Sequence, residues 1–232
     1  MALEGAKNNT FRAECQRKPG KTGAPPSPDV ALHTAGRGGN LEIRDLKRKD
    51  KNVLIDAENS CLLVIDIQAK LNPVMFDEAR APSGAAKLML GADIVGVPTV
   101  VTQQYTQGVG ETVDDLQDFM PSEGHIEKNT FSCAADGGFM ARFREMDKKQ
   151  AVICGIEAHI CVLQTSLQLL EEGIQVFVVE DATASRTVEN HRAGLERIRH
   201  NGGQVVSTEM VLFEWLKKSG TPEFKQISQL IK

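Results

Sequence analysis

Asp66, Lys128 and Cys161 are an acid, an amine and a thiol, each set where an apolar run gives way to a new pattern. Asp66 closes Cys61-Leu-Leu-Val-Ile65, Lys128 lies in HIEKNTFS ahead of a helical pattern, and Cys161 follows Ala151-Val-Ile-Cys154 within GIEAHICV. A strand handing over to a helix at that point puts Cys161 beside backbone N–H groups that have no intrahelical partner, where the macrodipole favours negative charge. A thiolate is stabilised there, and an oxyanion formed beside it can be held. A free thiol is mostly protonated at neutral pH, so the nucleophile also needs a base and an electropositive setting. Asp66 supplies the first and Lys128 the second.

Singly, each residue has a plainer reading: a turn or N-cap aspartate, a solvated lysine, a small core cysteine. Their order and surroundings say more. VIDIQ around Asp66, EKNTFS around Lys128 and GIEAHICVLQT around Cys161, with TQQYTQGVG after the second apolar run and STEMVLFEWL near the C-terminus, resemble the isochorismatase-like cysteine hydrolases. The likeness is to the branch of eukaryotic isochorismatase-domain-containing proteins and their bacterial relatives, over roughly residues 52–232.

The resemblance implies that Asp66 accepts the thiol proton while Cys161 adds to the carbonyl of a small amide or, second, an ester, giving a thioester acyl-enzyme. Lys128 would orient Asp66 and offset developing negative charge, so its removal is expected to hurt catalysis without unfolding the protein. The backbone N–H groups of Glu157 and Cys161 are the expected oxyanion hole, beside a cis peptide between Ile156 and Glu157. Gln68, Gln104, Tyr105 and Phe131 flank the three core positions and are expected to line the substrate pocket. Nicotinamidase relatives bind a metal through an Asp-x-His pair after the second strand, but Thr102-Gln-Gln-Tyr-Thr-Gln107 contains neither residue. No metal and no cofactor are therefore expected. True isochorismatases do not need this thiol, so Cys161 favours acyl chemistry. Relatives assemble as dimers or larger homo-oligomers. The alternative is a non-catalytic binding or scaffolding protein on the same fold.

The elements that must position these residues follow from hydrophobic periodicity. Short apolar runs at 61–65, 97–101, 151–154, 176–179 and 204–207 alternate with helical patterns, which argues a parallel sheet covered on both faces. Ala85, Leu88, Met89, Ala92 and Val95 mark one amphipathic helix; Leu163, Leu167, Leu170 and Ile174 mark another. Phe139, Phe143 and Met146, then Leu195 and Ile198, then Phe224, Ile227 and Ile231 mark three more. The resemblance implies an α/β chain, a three-layer α/β/α Rossmann-like domain with a six-stranded parallel sheet. It places a short third strand near His125 to Glu127 that periodicity misses. The apolar stretch Met210-Val-Leu-Phe-Glu-Trp215 suits a core or an interface equally well.

Composition sets the outer limits. A chain of 232 residues, 41% of them hydrophobic, can bury one sizeable core plus an extension. The net charge of −4 gives no case for nucleic acid, but it is unevenly spread. Residues 1–51 carry eleven Lys/Arg against six Asp/Glu, with GKTGAPPSPD and AGRGGN between few large apolar residues. A segment of that composition cannot recover its ordering entropy and is expected to be disordered. An organellar transit peptide is the alternative, although Glu4, Glu14 and Asp29 interrupt the acid-poor pattern of one. Five cysteines, odd in number and without CxxC, point to a reducing compartment, and no apolar run is long enough to span a membrane. A cytoplasmic protein with a small-molecule substrate is the expectation.

Overall fold

A computed structural model describes residues 54–232; the extension expected over 1–51 lies outside the described residues. Six strands form one all-parallel sheet: β1 (Ser60–Ile65), β2 (Thr99–Gln104), β3 (His125–Lys128), β4 (Gln150–Ile156), β5 (Gln175–Ala184) and β6 (Gln204–Val206). Their order is β3-β2-β1-β4-β5-β6. The chain builds outward from β1 to β3, then returns to lay β4 on the other side of β1. In open parallel sheets such a reversal is where ligands bind, here at the carboxyl ends of β1 and β4.

Every residue of β1 is buried, and its side chains divide by pleat. Leu62 and Val64 point into one apolar layer, Cys61, Leu63 and Ile65 into the other. The first layer is covered by α1 (Arg80–Val95) and, near the C-terminus, by two further helices, Thr208–Leu216 and Pro222–Leu230. The second is covered by α3 (Gly137–Glu145), α4 (Leu163–Glu171) and α5 (Val188–His200), while α2 (Thr106–Val109) is one short turn after β2. The two C-terminal helices are α6 and α7 in chain order. The three-layer arrangement and the short third strand are both as the resemblance implies.

Polar caps set several helix starts: Asp136 accepts from the Phe139 N–H at 2.9 Å, and Thr187, Ser207 and Thr221 accept in the same way at α5, α6 and α7. Two readings need adjusting. β2 starts and ends later than the apolar run suggests, extending through Thr102, Gln103 and Gln104. Met210 to Trp215 turns out to be helical, and its side chains divide between core and surface. Val211, Leu212 and Trp215 enter the core, while Met210 and Phe213 stay exposed.

Candidate active site

Asp66 is the first residue past β1 and adopts a left-handed conformation, φ +53°, which aspartate tolerates better than most residues. Its N–H reaches across to the Thr102 carbonyl at 3.2 Å, so the neighbouring strand fixes the turn. Lys128 is the last residue of β3, in register with Gln104. Its side chain runs inward, and acid and amine meet as a fully buried pair, Lys128 Nζ to Asp66 Oδ2 at 2.6 Å. The ammonium also donates to Gln104 Oε1 at 2.8 Å and points at the carbonyls of Thr130 and Phe131 at 3.2 and 3.4 Å. Three protons face four acceptors, so Lys128 has no free donor for a ligand.

Cys161 lies in the turn between β4 and α4, where Ala158–Val162 is wound as a single wide π turn closed by the Val162 N–H on the Glu157 carbonyl at 3.3 Å. Such bulges recur at functional positions. The Ile156–Glu157 peptide is cis, in keeping with the resemblance. Two side chains tie the turn to the loop after β5. Glu157 accepts from the backbone N–H and Nε of Arg186 at 3.2 and 3.0 Å, and His159 Nδ1 meets Ser185 Oγ at 3.0 Å. Glu157 and His159 thus matter beyond their backbone, as clamps on the turn. Beneath, Gly155 at φ +122° lets β4 close on β1, because a Cβ there would run into the Ile65 backbone.

Electrostatics correct one expectation. A thiol at a helix N-terminus beside a lysine should lose its proton easily, yet burial first, and then the negative charge of Asp66, push the Cys161 thiol well above its ordinary range, with Lys128 opposing. Cys161 therefore rests as a neutral thiol. Burial works against charge on Lys128 as well, but Asp66 more than offsets it and raises its proton affinity, keeping the ammonium charged.

The four flanking residues divide. Gln68 is buried and its amide is fully used, accepting from the Gln104 N–H at 2.7 Å and donating to the carbonyls of Gln104 and Gly110 at 3.0 and 2.5 Å. It fastens the 104–112 segment and offers no donor to a substrate. Gln104 is likewise committed, to Lys128 and to the Asn129 carbonyl at 3.0 Å. Tyr105 and Phe131 are more than half exposed, and both are anchored to Lys128, the Tyr105 N–H on its carbonyl at 3.1 Å and the Phe131 carbonyl near its ammonium. Among the described residues no cluster of three or more His, Cys, Asp or Glu is placed to hold a metal.

One residue escaped sequence reasoning. Thr102 is completely buried and its hydroxyl donates to Asp66 Oδ1 at 2.8 Å. A threonine inside a strand reads as an ordinary β-former, so only the polar run Thr-Gln-Gln at a strand's carboxyl end hinted at it.

With this geometry established, the chain can be set beside known proteins. The isochorismatase domain model matches residues 60–210. The secreted isochorismatase effector Isc1 of Phytophthora sojae is 36% identical over 178 residues, covering 75% of this chain and 85% of that protein. Isochorismatase domain-containing protein 2 of Danio rerio is 33% identical over 180 residues, covering 76% and 89%. Among solved structures, the MAR1 ribonuclease of Caenorhabditis elegans superimposes with a TM-score of 0.73 at 30% identity, covering 77% of this chain and 92% of that one. The YcaC gene product of Escherichia coli, described as an octameric hydrolase of unknown specificity, shares the fold with a TM-score of 0.71 at 24% identity, covering 78% and 92%. The chain belongs to the isochorismatase domain family.

Proposed function

We propose that this chain is a metal-independent, cofactor-free cysteine hydrolase that cleaves a small-molecule amide, or with second preference an ester, through Asp66, Lys128 and Cys161. Membership of the family supports hydrolase chemistry. The observation that carries the finer reading is the fully buried Lys128–Asp66 pair at the β1/β4 reversal, where the turn after β4 brings Cys161. Asp66 takes the Cys161 proton as Sγ bonds to the substrate carbonyl carbon, and the carbonyl oxygen becomes an oxyanion held by the N–H groups of Glu157 and Cys161. Asp66 then gives that proton to the leaving nitrogen or oxygen as its bond to carbon breaks, leaving a thioester. A water loses a proton to Asp66 and adds to the thioester carbonyl. The acid departs and the thiol regains its proton.

Lys128, with all its protons engaged, acts on substrate only through its charge and through Asp66. Among the described residues, the cations on the site's own turns are already engaged, Lys128 fully and Arg186 through Nε to Glu157, which weighs against a phosphodiester. We therefore favour a small-molecule substrate over nucleic acid, although the C. elegans neighbour is named a ribonuclease. A homo-oligomer is supported by the octameric E. coli relative. No helix among the described residues is long and apolar enough to cross a membrane. The four cysteines among the described residues are free and buried, which supports a reducing, cytoplasmic setting.

The resting neutral thiol favours one rival, a binding protein that uses this crevice without turnover. A panel of small aliphatic and aromatic amides and esters, assayed with wild type and Cys161→Ala, decides between them. Hydrolysis by wild type that Cys161→Ala abolishes is the expected result; binding without hydrolysis in both proteins would sink the hydrolase reading.

A further inference from the structure

The Asp66 carboxylate has two oxygens and must present one of them to Cys161. Lys128 holds Oδ2 and Thr102 holds Oδ1, both with short hydrogen bonds. The direction of the second is settled by chemistry, since a carboxylate only accepts and the Thr102 hydroxyl must therefore donate. That leaves the hydroxyl oxygen free to accept, and the Cys133 thiol lies 3.8 Å from it. Cys133 is fixed in turn, for its N–H donates to Thr165 Oγ1 at 2.9 Å. Thr165 belongs to α4, one helical turn beyond Cys161. All four members of this chain are buried. A continuous line of polar groups therefore runs from the carboxylate through Thr102 and Cys133 to the helix that carries the nucleophile.

From this we infer that Thr102 is a positioning residue, whose hydroxyl aims the Asp66 carboxylate at Cys161 and is itself oriented through Cys133 and Thr165. The inference rests on the cysteine-hydrolase reading above and adds to it a residue that touches no substrate. Thr102 grips Asp66 twice, by backbone and by side chain, which a residue serving only the strand would not need to do. Charged or titratable groups near the carboxylate are Lys128 from β3, Cys161 from the turn after β4, and Cys133 from the loop after β3. None of them can replace a hydroxyl donor on Oδ1, because Lys128 is spent on Oδ2 and the thiols are weak donors.

The test needs no knowledge of the substrate. Iodoacetamide is reacted with the full chain and the alkylated cysteines are mapped by mass spectrometry across pH 5–10, for wild type, Asp66→Asn, Thr102→Ser, Thr102→Val and Thr102→Ala. Loss of one hydrogen bond to a charged group corresponds to about a tenfold effect or more. The variants lacking the hydroxyl should alkylate Cys161 about tenfold more slowly at neutral pH. Thr102→Ser should restore the rate. A purely structural role would lower the thermal midpoint while leaving the native-state Cys161 rate near wild type. Should Thr102→Val fail to fold, the Ser–Ala contrast carries the same information. Wild-type behaviour in Thr102→Val or Thr102→Ala, while Asp66→Asn abolishes labelling, overturns the positioning role and leaves the hydrolase reading intact. If Cys161 in wild type labels no faster than Cys61, Cys133 and Cys154, the hydrolase reading fails first.

Discussion

The two flanks of the sheet share a fold but not a chemistry. On the β2–β3 side, Thr102, Gln103 and Lys128 are buried polar groups, each held by named hydrogen bonds. On the β4–β5 side the buried residues are mostly apolar, Val152, Ile153, Cys154, Val176, Phe177 and Val178 among them, with Gln150 and Thr183 as hydrogen-bonded polar exceptions away from any buried charge. Buried charge is costly unless paired and fully hydrogen-bonded, so the polar flank, which holds the Lys128–Asp66 pair, is the costlier one to bury. The apolar flank provides a stiff wall from which the Cys161 turn hangs. The proposed mechanism needs both, because the polar flank holds Asp66 at the end of β1 and the apolar flank carries the turn of Cys161.

The largest effect should come from breaking the polar flank at its centre. Lys128→Ala leaves a buried carboxylate without its partner, a change that costs about 3–5 kcal/mol in comparable pairs. This revises the expectation that removing Lys128 harms only catalysis. The thermal midpoint should fall by roughly 10 °C or more, and Cys161 alkylation with it. The double change Asp66→Leu with Lys128→Met, which removes both charges, should recover most of the stability and none of the activity. Differential scanning calorimetry on the three proteins separates the outcomes; a stable Lys128→Ala would mean that water reaches the pair.

Next in size is the seam between the flanks. Gly155→Ala introduces a Cβ that meets the Ile65 backbone at a φ of +122° that alanine avoids. We expect a loss of about 3 kcal/mol, together with a fall in activity, since β1 and β4 carry Asp66 and Cys161. If denaturant melts show Gly155→Ala as stable as wild type, the strands are not held as closely as described.

How far all this was legible in the sequence tracks the same division. The apolar strands β1, β4 and β5 announce themselves as unbroken hydrophobic runs, because a strand buried on both faces has no polar side to show. β3 is four residues long, has one neighbour, and reads His-Ile-Glu-Lys, so only its likeness to known proteins placed it. That Asp66, Lys128 and Cys161 would come together was legible from type and position. Their electrostatics were not, since the neutral thiol follows from burial, and burial is a property of the assembled turn. Gln68 and Gln104 looked like free amide donors because sequence shows an amide but not what saturates it. Thr102 was hidden by having a side chain equally at home in any strand.

A smaller but diagnostic effect concerns pH. The four described thiols are all raised above their ordinary values, burial being the leading cause, to about 11 for Cys133 and about 12 for Cys61. A group with a raised folded value contributes stability that is complete below its unfolded value and is lost as pH climbs through the folded one. The midpoint should therefore hold to about pH 8.5 and decline above it, by up to about 1.4 kcal/mol per pH unit for each thiol involved. Cys133→Ala should flatten the slope by one group's share. At Cys161 the same rise means that native alkylation keeps accelerating past pH 9, where a thiolate preformed by its lysine would already have levelled off. A plateau below pH 8 would restore the preformed thiolate.

The smallest change in stability, and the sharpest in specificity, should come at the rim. Phe131 is 57% exposed and what ties it to the site is its carbonyl, which any residue supplies. Phe131→Ala should shift stability by no more than about 0.5 kcal/mol, as surface substitutions do. If its ring lines the substrate pocket, truncation removes contact that substrate and transition state feel alike, so KM rises several-fold while kcat holds. Tyr105→Ala offers a contrast, since its ring also covers Gly108 and its backbone sits at φ +34°. It should loosen the 104–112 segment that Gln68 fastens, and so lower kcat as well. Steady-state kinetics on the best amide from the panel distinguish them. A change in kcat for Phe131→Ala, with KM unmoved, would place its ring outside the pocket and make it a support for Lys128, extending the polar flank to the surface.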